Sequence, residues 1–229
     1  MYRIQVYRHS RFVSIAGAGS VVVIGNFDGV HKGHQHLFER AHHHAKMLRV
    51  PIIALTFEPH PKKVLRPDSA PKRLTGFAEK TRRLDACGLD GVYALRFTKD
   101  YAQTTPEEFI KNTLVKVLRV RKVVIGEDFA FGKDRSAGIE LLKSLGPQYG
   151  YSVDVVAPFT MDGEVCSSTL IRDTIAAGNF NRAEELLGWP VKSQVIDKIA
   201  PEKAPKKTTA KAKSKPRSKS ASKSKARSA

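Results

Sequence analysis

Residues 25–36, GNFDGVHKGHQH, put three histidines within six positions, directly after the β-branched run Val21–Ile24 and among glycines. In an open parallel sheet, a loop that leaves the carboxyl end of a strand and feeds a helix is where ligands bind. Gly25, Gly29 and Gly33 let backbone approach a ligand closely, and the first N–H groups of the next helix attract anions. His31 and His34, three apart, fall on one face of that helix's first turn. Imidazoles held there can donate hydrogen bonds to phosphate oxygens, and a nearby anion favours their protonated form. The chemistry this suggests is charge stabilisation, which needs no metal ligand. A zinc site from His31, His34, His36 and the run His42–His44 is disfavoured, because these residues spread around the helix and no Cys or carboxylate triad joins them. The run His42–His44 reads as a solvated helix face. Two familiar phosphate loops are excluded: GxxxxGK[ST] is absent, and Gly17-Ala-Gly19, the near-miss to GxGxxG, precedes the strand when it should follow it.

The elements that must position this loop alternate in kind. Short β-branched runs at Val21–Ile24, Pro51–Phe57, Gly91–Arg96, Lys122–Ile125 and Ser152–Val156 are separated by amphipathic stretches at Gly33–Leu48, Phe77–Cys87, Pro106–Leu118 and Gly138–Tyr149. That order is the pattern of an α/β protein, a doubly wound parallel sheet of about five strands. The third helix has the clearest start, with Thr105 as cap, Pro106 in the first position and Glu108 completing a capping box. Two short helices, Ser168–Ala177 and Asn181–Leu187, follow near the end, separated by Gly178 and closed by Gly188. The connection 58–75, EPHPKKVLRPDSAPKRLT, is long for a compact domain. Its four prolines stiffen it and its six basic residues, counting His60, favour a binding flap.

Composition sets outer bounds. The 229 residues are 41% hydrophobic, enough for one sizeable domain and a short appendage. Cys87 and Cys166 form no CxxC pair, which points to a reducing compartment and a cytoplasmic location. The stretch FVSIAGAGSVVVIG imitates a signal peptide, but its glycines and its direct run into the histidine segment favour a loop and a buried strand. No window approaches a membrane span. The net charge of +18 is uneven: Lys203–Ala229 holds nine Lys and two Arg without an acid, leaving 29 basic against 22 acidic residues, or +7, in 1–202. Lacking aromatic and large aliphatic residues, that tail cannot offset its ordering entropy and is expected to be disordered. The expected organisation is therefore a domain at 1–190, followed by a linker and tail at 191–229.

Five motifs in order, GNFDGVHKGHQ at 25–35, TFEPHP at 56–61, RLT at 73–75, GEDFAFG at 126–132 and SSTLIR at 167–172, resemble the bacterial FAD synthetases. These are bifunctional enzymes whose N-terminal domain is an FMN adenylyltransferase of the HxGH nucleotidyltransferase type, and the resemblance covers about 15–188. It implies a Rossmann-like sheet, ATP and FMN as substrates, FAD and pyrophosphate as products, and Mg²⁺ with the ATP. By motif position, His31 and His34 would contact the ATP phosphates, and Gly25, Asn26, Phe27, Asp28 and Gly33 would shape the loop around the nucleotide. Ser167, Ser168 and Thr169 would form a second anion-binding turn, with Arg172 as a phosphate clamp or, alternatively, a purely capping set. Asp128 would orient FMN or a metal. Flat apolar walls for the flavin would come from Phe57, Pro59 and His60 with Phe129 and Phe131, although each Phe reads equally well as core. The chemistry agrees, because the FMN phosphate is already an anion at pH 7 and can attack the α-phosphorus of ATP without a general base.

The chain departs from that family after Leu186–Gly188. GWPVKSQVID gives way to the lysine-serine tail, with nothing suited to a β-barrel riboflavin kinase, so riboflavin phosphorylation is not expected; Trp189 stands where a basic or polar residue would be. Two other readings stay open. Related HxGH enzymes transfer nucleotidyl groups to other phosphorylated acceptors, and the tail's 11 positive charges could hold nucleic acid or another polyanion with salt-sensitive affinity.

Overall fold

In a computed structural model of the chain, residues 4–8, 17–132 and 137–200 are described. The expected disorder of the 203–229 tail, and residues 12–16 of the N-terminal apolar stretch, lie outside them. The central sheet has six parallel strands in the order β1-β4-β3-β2-β5-β6: β1 Gln5–Arg8, β2 Ser20–Ile24, β3 Ile52–Phe57, β4 Gly91–Leu95, β5 Val120–Gly126 and β6 Ser152–Val156. The strand absent from the sequence reading is β1. QVYR is mostly exposed and carries no burial pattern; pairing with β4, with Gln5 opposite Gly91, makes it a strand. By contrast SVVVI of β2 is wholly buried, as a central parallel strand covered on both faces must be.

The helices are α1 Lys32–Leu48, α2 Pro61–Leu65, α3 Phe77–Ala86, α4 Pro106–Glu108 with a π-type continuation Phe109–Val117, α5 Ile139–Tyr149, α6 Ser168–Ala176, α7 Phe180–Leu187 and α8 Ser193–Ile199. Alternate strand residues face opposite layers. Val21, Val23, Ile52 and Val92 pack against Leu37 and Phe38 of α1 and Leu84 of α3. Val22, Ile24, Ile53 and Leu55 pack on the other side with Ile110 and Leu114 after α4 and Leu142 of α5. The sheet is thus doubly wound about β2, which has β3 on one side and β5 on the other. The expected start of α4 is present: Thr105 Oγ1 accepts from the Glu108 N–H at 3.2 Å and Glu108 Oε2 accepts from the Thr105 N–H at 3.0 Å.

A third cluster joins Leu74 to α6, α7 and α8 through Ile171, Ile175, Leu186, Leu187 and Ile199. The boundary expected at residue 190 falls inside this cluster, since α8 adds Ile199 to it and Lys192 pairs with Glu79 of α3 at 2.8 Å. A small antiparallel hairpin, β7 Thr160–Met161 and β8 Glu164–Val165, precedes it and turns through Asp162-Gly163, both at positive φ. Among the described residues no helix is long and apolar enough to cross a membrane.

Candidate active site

The loop from β2 to α1 is held in an unusual backbone path. Phe27 and Val30 sit at φ 48 and Gly29 at φ 87. Positive φ at two non-glycine residues, one of them β-branched, costs on the order of 1–3 kcal/mol each and persists only when the surroundings over-determine it. They do so here. The Phe27 ring is fully buried against Phe38 and meets His34 edge-on. The Val30 carbonyl accepts from Gln35 Nε2 at 2.9 Å and Trp189 Nε1 at 2.8 Å. The Gly29 carbonyl accepts from Arg83 Nη1 at 2.8 Å, and that guanidinium lies 5.4 Å from the Trp189 ring centroid.

Asp28 ties two segments to this loop through four residues. Its carboxylate accepts from the Leu74 and Thr75 N–H groups, each at 3.0 Å, and from Arg172 Nη2, while its carbonyl accepts from Ser168 Oγ at 2.9 Å. The RLT end of the flap and the start of α6 therefore meet the histidine loop at one buried carboxylate. Arg172 also gives Nε to the Lys72 carbonyl and Nη1 to the Ser168 carbonyl. Three of its five N–H groups are so engaged, leaving two. Ser167 Oγ caps α6 by accepting from the Leu170 N–H, and Thr169 is exposed on its first turn.

His31 and His34 stack with ring centroids 3.6 Å apart. His34 Nδ1 accepts from the His31 N–H at 3.3 Å, so in its neutral form the proton sits on Nε2. Burial lowers His34 well below the usual histidine range, helped by the neighbouring His31 and Lys80 charges. Burial lowers His31 to about 4, with Asp28 partly opposing and Arg172 assisting. The α1 start is less open than the sequence suggests. The Cys166 thiol lies 3.7 Å from His31 Nδ1, and a Cβ on Gly33 would meet the Cys166 carbonyl at 2.8 Å. Gly33 and Gly25 thus admit protein atoms: a Cβ on Gly25 would come within 2.8 Å of the Phe27 ring. Cys166 is the small buried residue expected, donating to the Leu186 carbonyl at 3.3 Å.

His60 caps α2 by accepting from the Lys62 N–H at 3.1 Å, and burial lowers it to about 4 as well. The unfolded chain protonates these histidines near pH 6.5, above their folded values. The stability contributed by their neutral burial is therefore present above about pH 6.5 and lost as pH falls toward 4. Urea midpoints should fall from pH 7.5 to pH 5, and His31→Gln should flatten the dependence; a dependence of the same steepness in His31→Gln would refute the assignment.

The other expected residues spread over both sides of the crevice. Phe57 ends β3 and begins an aromatic row, 5.7 Å from Phe97, which lies 6.0 Å from Tyr101. Phe129 is half-buried after β5, stacked at 5.5 Å on Phe131, which is buried in the core. Asp128 is exposed on that loop, and Pro59 is half-buried at the flap's start. The flap lines an open cleft of about 330 Å³ with His60, Lys63, Pro67, Ala70, Pro71 and Arg73. Arg73 pairs with Glu58 at 2.8 Å, bridging the flap's two ends. Sequence reasoning missed Lys80 and Arg83 of α3, both buried. The signal was present for Lys80, since Phe77, Lys80, Thr81 and Leu84 have the spacing of a single core-facing helix face. Among the described residues no group of three or more His, Cys, Asp or Glu could hold a metal ion.

A doubly wound sheet whose switch-point loop carries paired histidines at a helix start, with a second helix start bound to that loop, defines a phosphate-binding class of α/β fold. Within that class the chain belongs to the FAD synthetase family, whose profile matches residues 15–170. It is 40% identical over 172 residues to the bifunctional riboflavin kinase/FMN adenylyltransferase of Escherichia coli K12, covering 75% of this chain and 55% of that protein. Against the Pseudomonas fluorescens protein of the same description the identity is 37% over 174 residues, covering 76% and 56%. The chain thus spans about half the length of the curated relatives it matches. A solved structure described as a macrolide-efflux protein from Streptococcus pneumoniae superposes with a TM-score of 0.71 at 32% identity, over 82% of this chain and 72% of that one.

Proposed function

We propose that this chain transfers the adenylyl group of ATP to FMN, giving FAD and pyrophosphate, and that it does not phosphorylate riboflavin. The observation that carries this reading is the stacked His31–His34 pair, held neutral by burial at the switch point of the sheet. An FMN phosphate oxygen attacks the α-phosphorus as the bond to the β-phosphate oxygen breaks. The nucleophile arrives deprotonated, so the site must supply donors and cations in place of a base. His34 offers Nε2–H, and His31 gains a proton as the triphosphate counters its desolvation. Ser168, Thr169 and the two remaining N–H groups of Arg172 face the same phosphates, while Asp28, Ser167, Gly25, Phe27 and Gly33 keep the loop in place. Asn26 Oδ1, buried without a hydrogen-bond partner, would suit a water in the hydration shell of an Mg²⁺ carried by ATP.

FMN fits the flap side. In this reading Phe57, Pro59 and His60 would form one wall, Phe129 backed by Phe131 the other, with Asp128 at the rim. Lys63 and Arg73 add positive charge for an acidic ligand. A cytoplasmic location suits the two free cysteines. The test is to incubate the purified chain with ATP, Mg²⁺ and either FMN or riboflavin and to separate the flavins by chromatography. FAD should form from FMN, and riboflavin should remain unchanged. FMN appearing from riboflavin would overturn the kinase-free clause, and no FAD from FMN would move the activity to another phosphorylated acceptor.

A further inference from the structure

Lys80 is only 5% exposed, yet its ammonium makes one hydrogen bond, a long one of 3.4 Å to Thr56 Oγ1. Among the described residues no carboxylate lies within ion-pair distance of it. The Thr56 hydroxyl is itself committed, donating to the Asn26 carbonyl at 3.3 Å, and the Asn26 side-chain oxygen is buried with no partner. An ammonium has three protons to place, and burying it with one weak acceptor is costly. Replacing such a group by an apolar side chain of similar volume is often neutral or stabilising, so the fold has no need of this charge. A lysine retained against stability at the carboxyl ends of β2 and β3 calls for an anionic ligand.

Its surroundings say which anion. Lys80 feels Asp28 of the histidine loop and Glu58 and Arg73 of the flap, and in turn acts on both His34 and His60. In the adenylyl-transfer reading it stands between the histidine loop and the flap, where the α-phosphate of the transferred adenylyl group would lie. We propose that Lys80 Nζ is a substrate-contacting cation, hydrogen-bonded to a non-bridging oxygen of the nucleotide α-phosphate. This deepens the adenylyl-transfer reading and rests on it for the acceptor. Two anionic phosphates approach one another in that reaction, and a desolvated cation between them lowers their repulsion most as the new bond forms.

The experiment compares the full chain with Lys80→Met in three measurements: the Kd for α,β-methylene-ATP, kcat for FAD formation, and the melting temperature. The methylene analogue should bind about tenfold more weakly to the variant, and kcat should fall about a hundredfold. The melting temperature should be unchanged or higher. An unchanged Kd overturns the proposal. So does a melting temperature lowered by more than about 5 °C, because the lysine would then be holding the fold. If the wild type makes no FAD while Lys80→Met still loses the analogue, the acceptor assignment fails and the Lys80 contact stands.

Discussion

Replacing His31 and His34 together by alanine should lower kcat for FAD formation at least about a thousandfold. Each single variant should lose on the order of 10²–10³, and the double variant little more than the worse single one, because stacked groups serving one phosphate chain act as a unit. The rings are coupled in geometry as well. His34 Nδ1 accepts the His31 N–H, so removing the His34 ring also frees the backbone that sets the helix start. FMN affinity, followed by flavin fluorescence, should change little, since the flavin walls proposed above lie on other loops. A double variant retaining more than a tenth of kcat would remove the histidines from the reaction.

The largest effect on stability should come from Asp28→Asn, at about 3–5 kcal/mol. The substitution leaves the Arg172 guanidinium, nearly buried, facing a neutral amide. Whichever way that amide turns, its NH₂ group confronts donors, because Leu74, Thr75 and Arg172 all present N–H groups to the carboxylate. Urea denaturation would read the loss, and amide exchange at Leu74 and Thr75 would rise as the flap's end is released. The variant Asp28→Asn with Arg172→Gln should recover part of it, since the stranded charge is gone. A loss below about 0.5 kcal/mol would mean that the carboxylate does not hold these segments.

The parts of this architecture that announce themselves in sequence are those with a local cause. Thr105 and Glu108 three residues apart specify a helix start, and VVVI read as a central strand because a strand covered on both faces has no polar alternation. What stayed hidden was non-local. β1 exists through its partner's edge, which no property of QVYR reveals. The turn Asp162-Gly163 was legible as a hairpin signal and went unused. The histidines were found by spacing, but the hub that positions them was not, because Asp28 acquires its role from residues 74, 75, 168 and 172. Trp189, standing where a basic or polar residue was expected, donates to the Val30 carbonyl.

That last contact carries a consequence in time. Val30 and its clasp at Trp189 are 159 residues apart, and Gln35 reaches the Leu187 carbonyl across 152. At about 5–20 residues per second, the ribosome delivers the clasp on the order of ten seconds after the loop it secures. During that interval the nascent chain can assemble β2, α1 and β3, whose contacts are close in sequence. The left-handed residues of the loop have only part of what restrains them. The loop's left-handed path is therefore fully restrained only late in translation, when α7 and the indole behind it dock.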